Sequence, residues 1–232
     1  MTPGPAMVGW EALEPARLET GDIVHVQGDN FVSRDIRRSE RSPGEGISWA
    51  SHTEHVLIAA ADGAVDMSVN GGRPRVIPFT FWRGRGRVLV TRKPGGLAAG
   101  EKEGVIGSAS GALWQGLGYG WIKLVAHKGD WWLSQSPLAR WLHLPPVLFR
   151  RLCCLDDWPI CSYDTARRYW DVCRIRFNGL DYRVVQPDDI LDHCVKQLWP
   201  VVFADSDETF LSFKGAYELA AASPRATGEI VA

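Results

Sequence analysis

His55-Val-Leu-Ile-Ala-Ala60 is a near-continuous apolar run of strand length, and Asp62-Gly63 directly after it is a hairpin signal. Ala64-Val-Asp-Met-Ser68 then reads as the partner strand. Upstream, Gly21-Asp-Ile-Val-His-Val26 reads as a short strand after a turn. Downstream, Asn70-Gly71-Gly72 marks a second turn, and Arg75–Phe81 and Arg87–Arg92 supply further strands. The first half of the chain is therefore a β-meander. Between its first two strands, Phe31–Arg38 fits one or two helical turns, and Ser42-Pro-Gly-Glu-Gly46 is a loop by composition.

The second half changes period. Val105, Ile106, Ala109 and Leu113 recur at helical spacing within 101–115, and 121–132 and 137–155 also read as helical. Ala166, Tyr169, Trp170 and Cys173 form a stripe on a helix over 161–173. Asp188-Asp189 after Pro187 opens another short helix, and 199–204 reads as a last strand. Strands first and helices second argue an α+β fold. Residues 1–18, with three prolines and little periodicity, read as a loose lead-in, and the Ala/Ser-rich stretch 221–232 as a frayed tail.

Composition sets outer limits. The 232 residues are 45% hydrophobic and 23% charged, enough for a sizeable core. The net charge of −1 offers no general attraction to nucleic acid or to an anionic membrane, and the basic clusters at 34–41 and 83–87 read as solvated faces. No stretch of 18 apolar residues suggests a transmembrane helix, and the N-terminus lacks the basic start and apolar run of a signal peptide. Five cysteines without the paired spacing of zinc knuckles exclude an obvious metal site; an odd count points to reduced thiols in the cytoplasm. Most of the eleven tryptophans read as core, although Trp also lines clefts for extended ligands.

Three residues stand out chemically. Cys161 follows Trp158-Pro159-Ile160 where a loop gives way to a helix, and a helix start favours the thiolate form of a cysteine. By local sequence alone, a buried structural cysteine explains it better, and that reading holds for Cys153, Cys154, Cys173 and Cys194. His55 opens a buried strand, where an imidazole costs desolvation unless both ring nitrogens are engaged. Asp66 lies in the next strand, across the hairpin, positioned to orient such a ring. His52, in the preceding loop, competes for the role of base.

In order along the chain, Gly21-Asp22-Ile23-Val24, then Ala50–Ile58 around His55, then Val65-Asp66-Met67 and Ile160-Cys161-Ser162 resemble the circularly permuted NlpC-type papain-like cysteine peptidases, in their YiiX-like branch. Gly118-Tyr119-Gly120-Trp121 and Gln186–Ile190 resemble two further segments of that family. The similarity spans roughly 20–205. It implies a permuted papain-like domain over 19–220, with the sheet first and the cysteine helix late. It further implies Cys161 as nucleophile, His55 as base and Asp66 as the orienting residue, with Tyr119, Ser162 and Asp22 at the substrate and no cofactor. Asp66 is shorter than the Glu common in the family, and Tyr163-Asp164 replaces a small or apolar pair. The implied activity is thiol hydrolysis of an amide in a peptide or cell-wall peptide. An acyl-lipid substrate is the second reading, for which Trp131–Phe149 would serve as a lid although a core helix pair explains that stretch better, and a non-catalytic binding module of the same fold is the third.

Overall fold

The computed structural model describes residues 6–28, 55–60, 63–66, 75–115 and 161–222, together with 125–126, 128–130, 132–133, 136–137, 141–142 and 148–149. Seven strands among these form one sheet: β1 (Met7–Val8), β2 (Ile23–Gly28), β3 (His55–Ala60), β4 (Gly63–Asp66), β5 (Arg75–Pro78), β6 (Gly86–Thr91) and β7 (Val201–Ala204). Their order is β1-β7-β6-β2-β3-β4-β5. The pairings are antiparallel except β1 with β7, which is parallel. The α+β class holds. The β3–β4 hairpin forms where the sequence signals one, but Gly63 already pairs with Ala60 as the first residue of β4, so it closes one residue earlier than an Asp62-Gly63 turn would.

Four longer helices lie among the described residues: α1 (Ala99–Gln115), α2 (Cys161–Cys173), α3 (Pro187–Lys196) and α4 (Asp207–Ala222). α3 starts where the sequence signals it. Pro187 stands at the first helical position, Gln186 N–H donates to Asp189 Oδ2 at 2.8 Å, and Asp188 and Asp189 place negative charge at the helix start.

Strand alternation separates two cores. Val24, Val26, Val88, Val90 and Phe203 pack on one face with Met7, Ile77 and Phe79, under Trp10, Leu13 and Leu18. On the other face, Ile23 packs with α2, α3 and Trp199, while Leu89 packs with Leu191 and Phe213 of α3 and α4. Central strand β2 is thus covered on both sides, which explains why its sequence lacks a polar–apolar alternation.

Two expectations change here. Residues in the expected lead-in are built into the fold: Met7 and Val8 pair with Phe203 and Ala204, Gly9 N–H donates to Ala204 O at 2.8 Å, and Trp10 packs against Phe79 and Phe203. The strand expected over 75–81 ends at Pro78, and Phe79–Trp82 turns into a 3-10 helix. Proline has no N–H to continue the ladder, and Phe79 gains burial by turning into the core. The helical turn expected at 31–38 lies outside the described residues, as do the hairpin loop, the tail beyond 222 and most of 121–155.

Candidate active site

Cys161 is the first residue of α2, and its buried side chain joins the cluster formed by Ile23, Ala166, Tyr169, Ile190, Cys194 and Trp199. Three side chains fix this helix. Tyr169 donates its hydroxyl to Gly21 O, at the start of β2. Arg168, itself buried, grips Asp164 through two bonds of 2.6 and 2.7 Å and reaches Val105 O of α1 at 3.2 Å. Ser162 Oγ donates to Val185 O at 2.8 Å. The Ser162 hydroxyl, expected at the substrate, is therefore fully buried and engaged within the protein.

α2 lies against β3 and α1. His55 is the first residue of β3 and pairs with Val26; Leu57 pairs with Val24, Val56 with His25 and Ile58 with Ile23. Val24 and Val26 belong to the first core, whereas Ile23 belongs to the cluster that contains Cys161. Asp66 ends β4, opposite Arg75 of β5. From the Ile58–Val65 pair, the ladder puts His55 and Asp66 on neighbouring strands with the same alternation, one diagonal step apart. Tyr119 and His52 lie outside the described residues.

Asp22 is engaged as well. Its carboxylate accepts two bonds of 2.8 Å from the Arg92 guanidinium and a third, also 2.8 Å, from Glu19 N–H. Burial raises its pKa, and Arg92 works against that rise. Glu19 completes the group by binding both Arg92 and Lys102. Asp22 thus ties the entry of β2 to the end of β6.

The sequence reading missed one polar group. His25, in the middle of β2, is fully buried on the α2 and α3 side. Thr91 Oγ1 donates to Cys194 Sγ at 3.5 Å and lies 2.9 Å from His25 Nε2. Nδ1 is buried with no hydrogen-bond partner. Burial depresses the His25 pKa to about 3, so the ring is neutral. The signal for it was present: His25 alternates in step with Ile23 inside an apolar strand. His193 is depressed to about 4, first by burial and then by Lys196. Burial likewise pushes the thiols of Cys173 and Cys194 up to about 11 and about 12.

Beside α2 a cavity of about 180 Å³ is lined by Ala166, Trp170, Phe177, Tyr182, Arg176 and Asp181 among others. The Arg176 guanidinium stacks on the Trp170 ring, 4.5 Å from its centroid. Among the described residues, no three His, Cys, Asp or Glu side chains converge as metal ligands, and no helix is long and apolar enough to cross a membrane. No family model, curated protein or solved structure matches the chain.

Proposed function

We propose that the chain is a thiol hydrolase of the permuted papain-like kind, with Cys161 as nucleophile, His55 as base and Asp66 as orienting residue. The observation that carries this reading is the junction of α2 and β3: a cysteine opens a firmly anchored helix that packs against the very strand opened by a histidine. Cys161 lies eight residues before Tyr169, about 12 Å along the helix axis. Tyr169 is tied to Gly21, and Gly21 to Val26 spans about 16 Å of extended chain. With α2 lying against β3, the similarity of these two spans supports a start of α2 near the sheet end where His55 pairs with Val26. Val26, the partner of His55, packs on the face opposite to Cys161, so the proposed dyad has to meet around the end of β3 rather than across its flat face.

In this mechanism the Cys161 thiolate adds to an amide carbonyl carbon. The backbone N–H of Cys161 stabilises the oxyanion. The C–N bond breaks as the His55 imidazolium passes its proton to the leaving amine, leaving a thioester. His55 then takes a proton from water, the hydroxide attacks the thioester, and the acid and free thiol are released. The cavity starts about one helical turn beyond Cys161, at Ala166, and its mixed lining, with Arg176 and Asp181 beside Trp170 and Tyr182, offers room for part of a polar peptide substrate. A peptide amide is the first substrate class; it is separated from esters by comparing muropeptide and short-chain ester hydrolysis.

The deciding experiment is the alkylation rate of Cys161 against pH in a Cys153→Ser/Cys154→Ser background, with and without His55→Ala. Rapid labelling below pH 7 that falls by about a hundredfold in His55→Ala is expected of an activated thiolate. A rate that ignores His55 rules the dyad out.

A further inference from the structure

The segment that leaves α2 is arranged around one indole. Arg174 follows the last helical residue with a left-handed backbone (φ 57°), and its N–H donates to Trp170 O at 3.1 Å. Glycine is the usual residue at such a helix end, because a Cβ is strained there. The arginine in its place lays a guanidinium over the helix. Arg174 lies 5.7 Å from the centroid of the Trp170 ring, and Arg176 lies 4.5 Å from it. Asn178 takes a second left-handed step (φ 50°), and the chain then returns to α2, where Tyr182 meets Tyr163 edge to face at 5.5 Å. This loop and α2 enclose the cavity of about 180 Å³.

The charges around the cavity suit an anion. Arg167 pairs with Asp171, and Arg168 with Asp164. Among the described residues, Arg174 and Arg176 meet no carboxylate, and both are exposed. Stacking occupies the face of a guanidinium and leaves its edge of N–H donors, the fork that matches a carboxylate. On the other wall, Arg183 lies 5.2 Å from the centroid of the Tyr182 ring. The acid of the lining is Asp181, whose Oδ1 accepts the backbone N–H of Arg183 at 2.9 Å. Arg174, Arg176 and Arg183 against Asp181 give +3 − 1 = +2, in a chain of net charge −1. Arg176 and Asp181 line one cavity without pairing with each other, so it has a donor side and an acceptor side.

We propose that this cavity binds a carboxylate-bearing residue of a peptide, with the carboxylate on Arg176 and Arg174 and the backbone N–H facing Asp181. Apolar atoms of the ligand lie between Trp170 and Tyr182, over Phe177 and Leu180. The volume falls below the ~300 Å³ of a whole small-molecule site, so it suits one residue of a longer ligand. Val185, also in the lining, accepts the Ser162 hydroxyl and ties the cavity to the start of α2. Ala166 and Trp170 stand about 8 and about 14 Å along the helix axis from Cys161, roughly two to four residues of extended peptide. The peptide nature of the ligand rests on the hydrolase reading; the preference for a carboxylate rests on the arginines alone.

The test is calorimetric binding to the full chain and to its Cys161→Ala variant, which has no nucleophile. The probes are N-acetylphenylalanine, its uncharged amide and N-acetylglutamate α-amide. At least one of the two acids should bind both proteins alike, and the tighter acid tells a chain-terminal carboxylate from a side-chain one. The uncharged amide should bind about tenfold more weakly than N-acetylphenylalanine, the loss of one charge-assisted pair. Arg174→Gln/Arg176→Gln should weaken the acids by about tenfold or more with circular dichroism and Tm unchanged, and salt should weaken them as well. The proposal is overturned if neither acid binds, if all three probes bind equally, or if the double variant binds like its parent. Tighter binding of phenethylammonium than of either acid overturns it in favour of Asp181 as the anchor. The hydrolase reading fails separately, by Cys161 alkylation that ignores His55, and leaves these binding results standing.

Discussion

Acidification should destabilise this protein through His25, and replacing that residue should remove a calculable part of the effect. His25 is neutral in the fold because burial depresses its pKa from 6.5 to about 3. The unfolded chain takes up a proton near pH 6.5 that the native state refuses until about pH 3. Stability from this site is therefore complete above pH 6.5 and declines as pH falls through the window between those values. From pH 7 to pH 5 the linkage amounts to about 2 kcal/mol. His193, depressed to about 4, adds a similar loss over the same interval. The variant is His25→Gln, whose amide can donate or accept and so replace the Nε2 hydrogen bond to Thr91. Urea unfolding followed by tryptophan fluorescence at pH 7 and pH 5 gives the two stabilities. The wild-type loss should exceed the variant loss by about 2 kcal/mol, because every other titrating group is common to both proteins. Equal losses would refute the buried neutral imidazole. A second reading needs no variant: the His25 ring resonances should not move between pH 7 and pH 5, and titration near 6.5 would refute the same point.

Arg92→Met leaves the buried Asp22 carboxylate without its guanidinium and should cost about 3 kcal/mol in urea unfolding, with partial recovery on adding Asp22→Asn; a neutral single variant would contradict the pairing. Gly86→Ala should lose about 1–3 kcal/mol by the same assay, because its Cβ would stand 2.6 Å from Gln27 O and 2.7 Å from Gly28 Cα, both backbone atoms of the paired strand.

Local signals made half of this fold legible. The Asp-Gly signal located the β3–β4 hairpin to within a residue, the Pro159-Ile160-Cys161 junction fixed the start of α2, and Pro187 with two aspartates fixed α3. What escaped depends on pairings distant in sequence. Met7–Val8 is two residues long and joins β7 some 190 positions away, so nothing local marks it as a strand. Asp22 finds Arg92 seventy positions on, and Thr91 meets Cys194 after 103. α4 is different, since its signal was present and unread: Ser206 accepts the Thr209 N–H at 3.3 Å, and Asp207 and Glu208 follow it in the first turn. In the candidate site, the places of Cys161 at a helix start and of His55 at a strand start were legible. The fates of Ser162 and Asp22 were not, because Val185 and Arg92, which engage them, carry no local mark of doing so.

The same burial separates the thiols. At pH 7 a thiol with a pKa near 11 is about one part in ten thousand thiolate, and one near 12 about one part in a hundred thousand. Cys173 and Cys194 therefore stay inert to alkylation while the fold is intact. Cys194 adds a steric barrier, since it is fully buried against Thr91 and α2. Labelling of the native protein thus discriminates by position: a thiol at a helix start reports its own environment, and Cys173 and Cys194 respond only when the fold opens. Raising urea below the unfolding midpoint should bring up Cys194 labelling in proportion to the unfolded fraction, whereas labelling at Cys161 that depends on His55 should fall over the same range. If Cys161 instead rises in step with Cys194, it belongs with the buried structural cysteines, and the hydrolase reading falls with it.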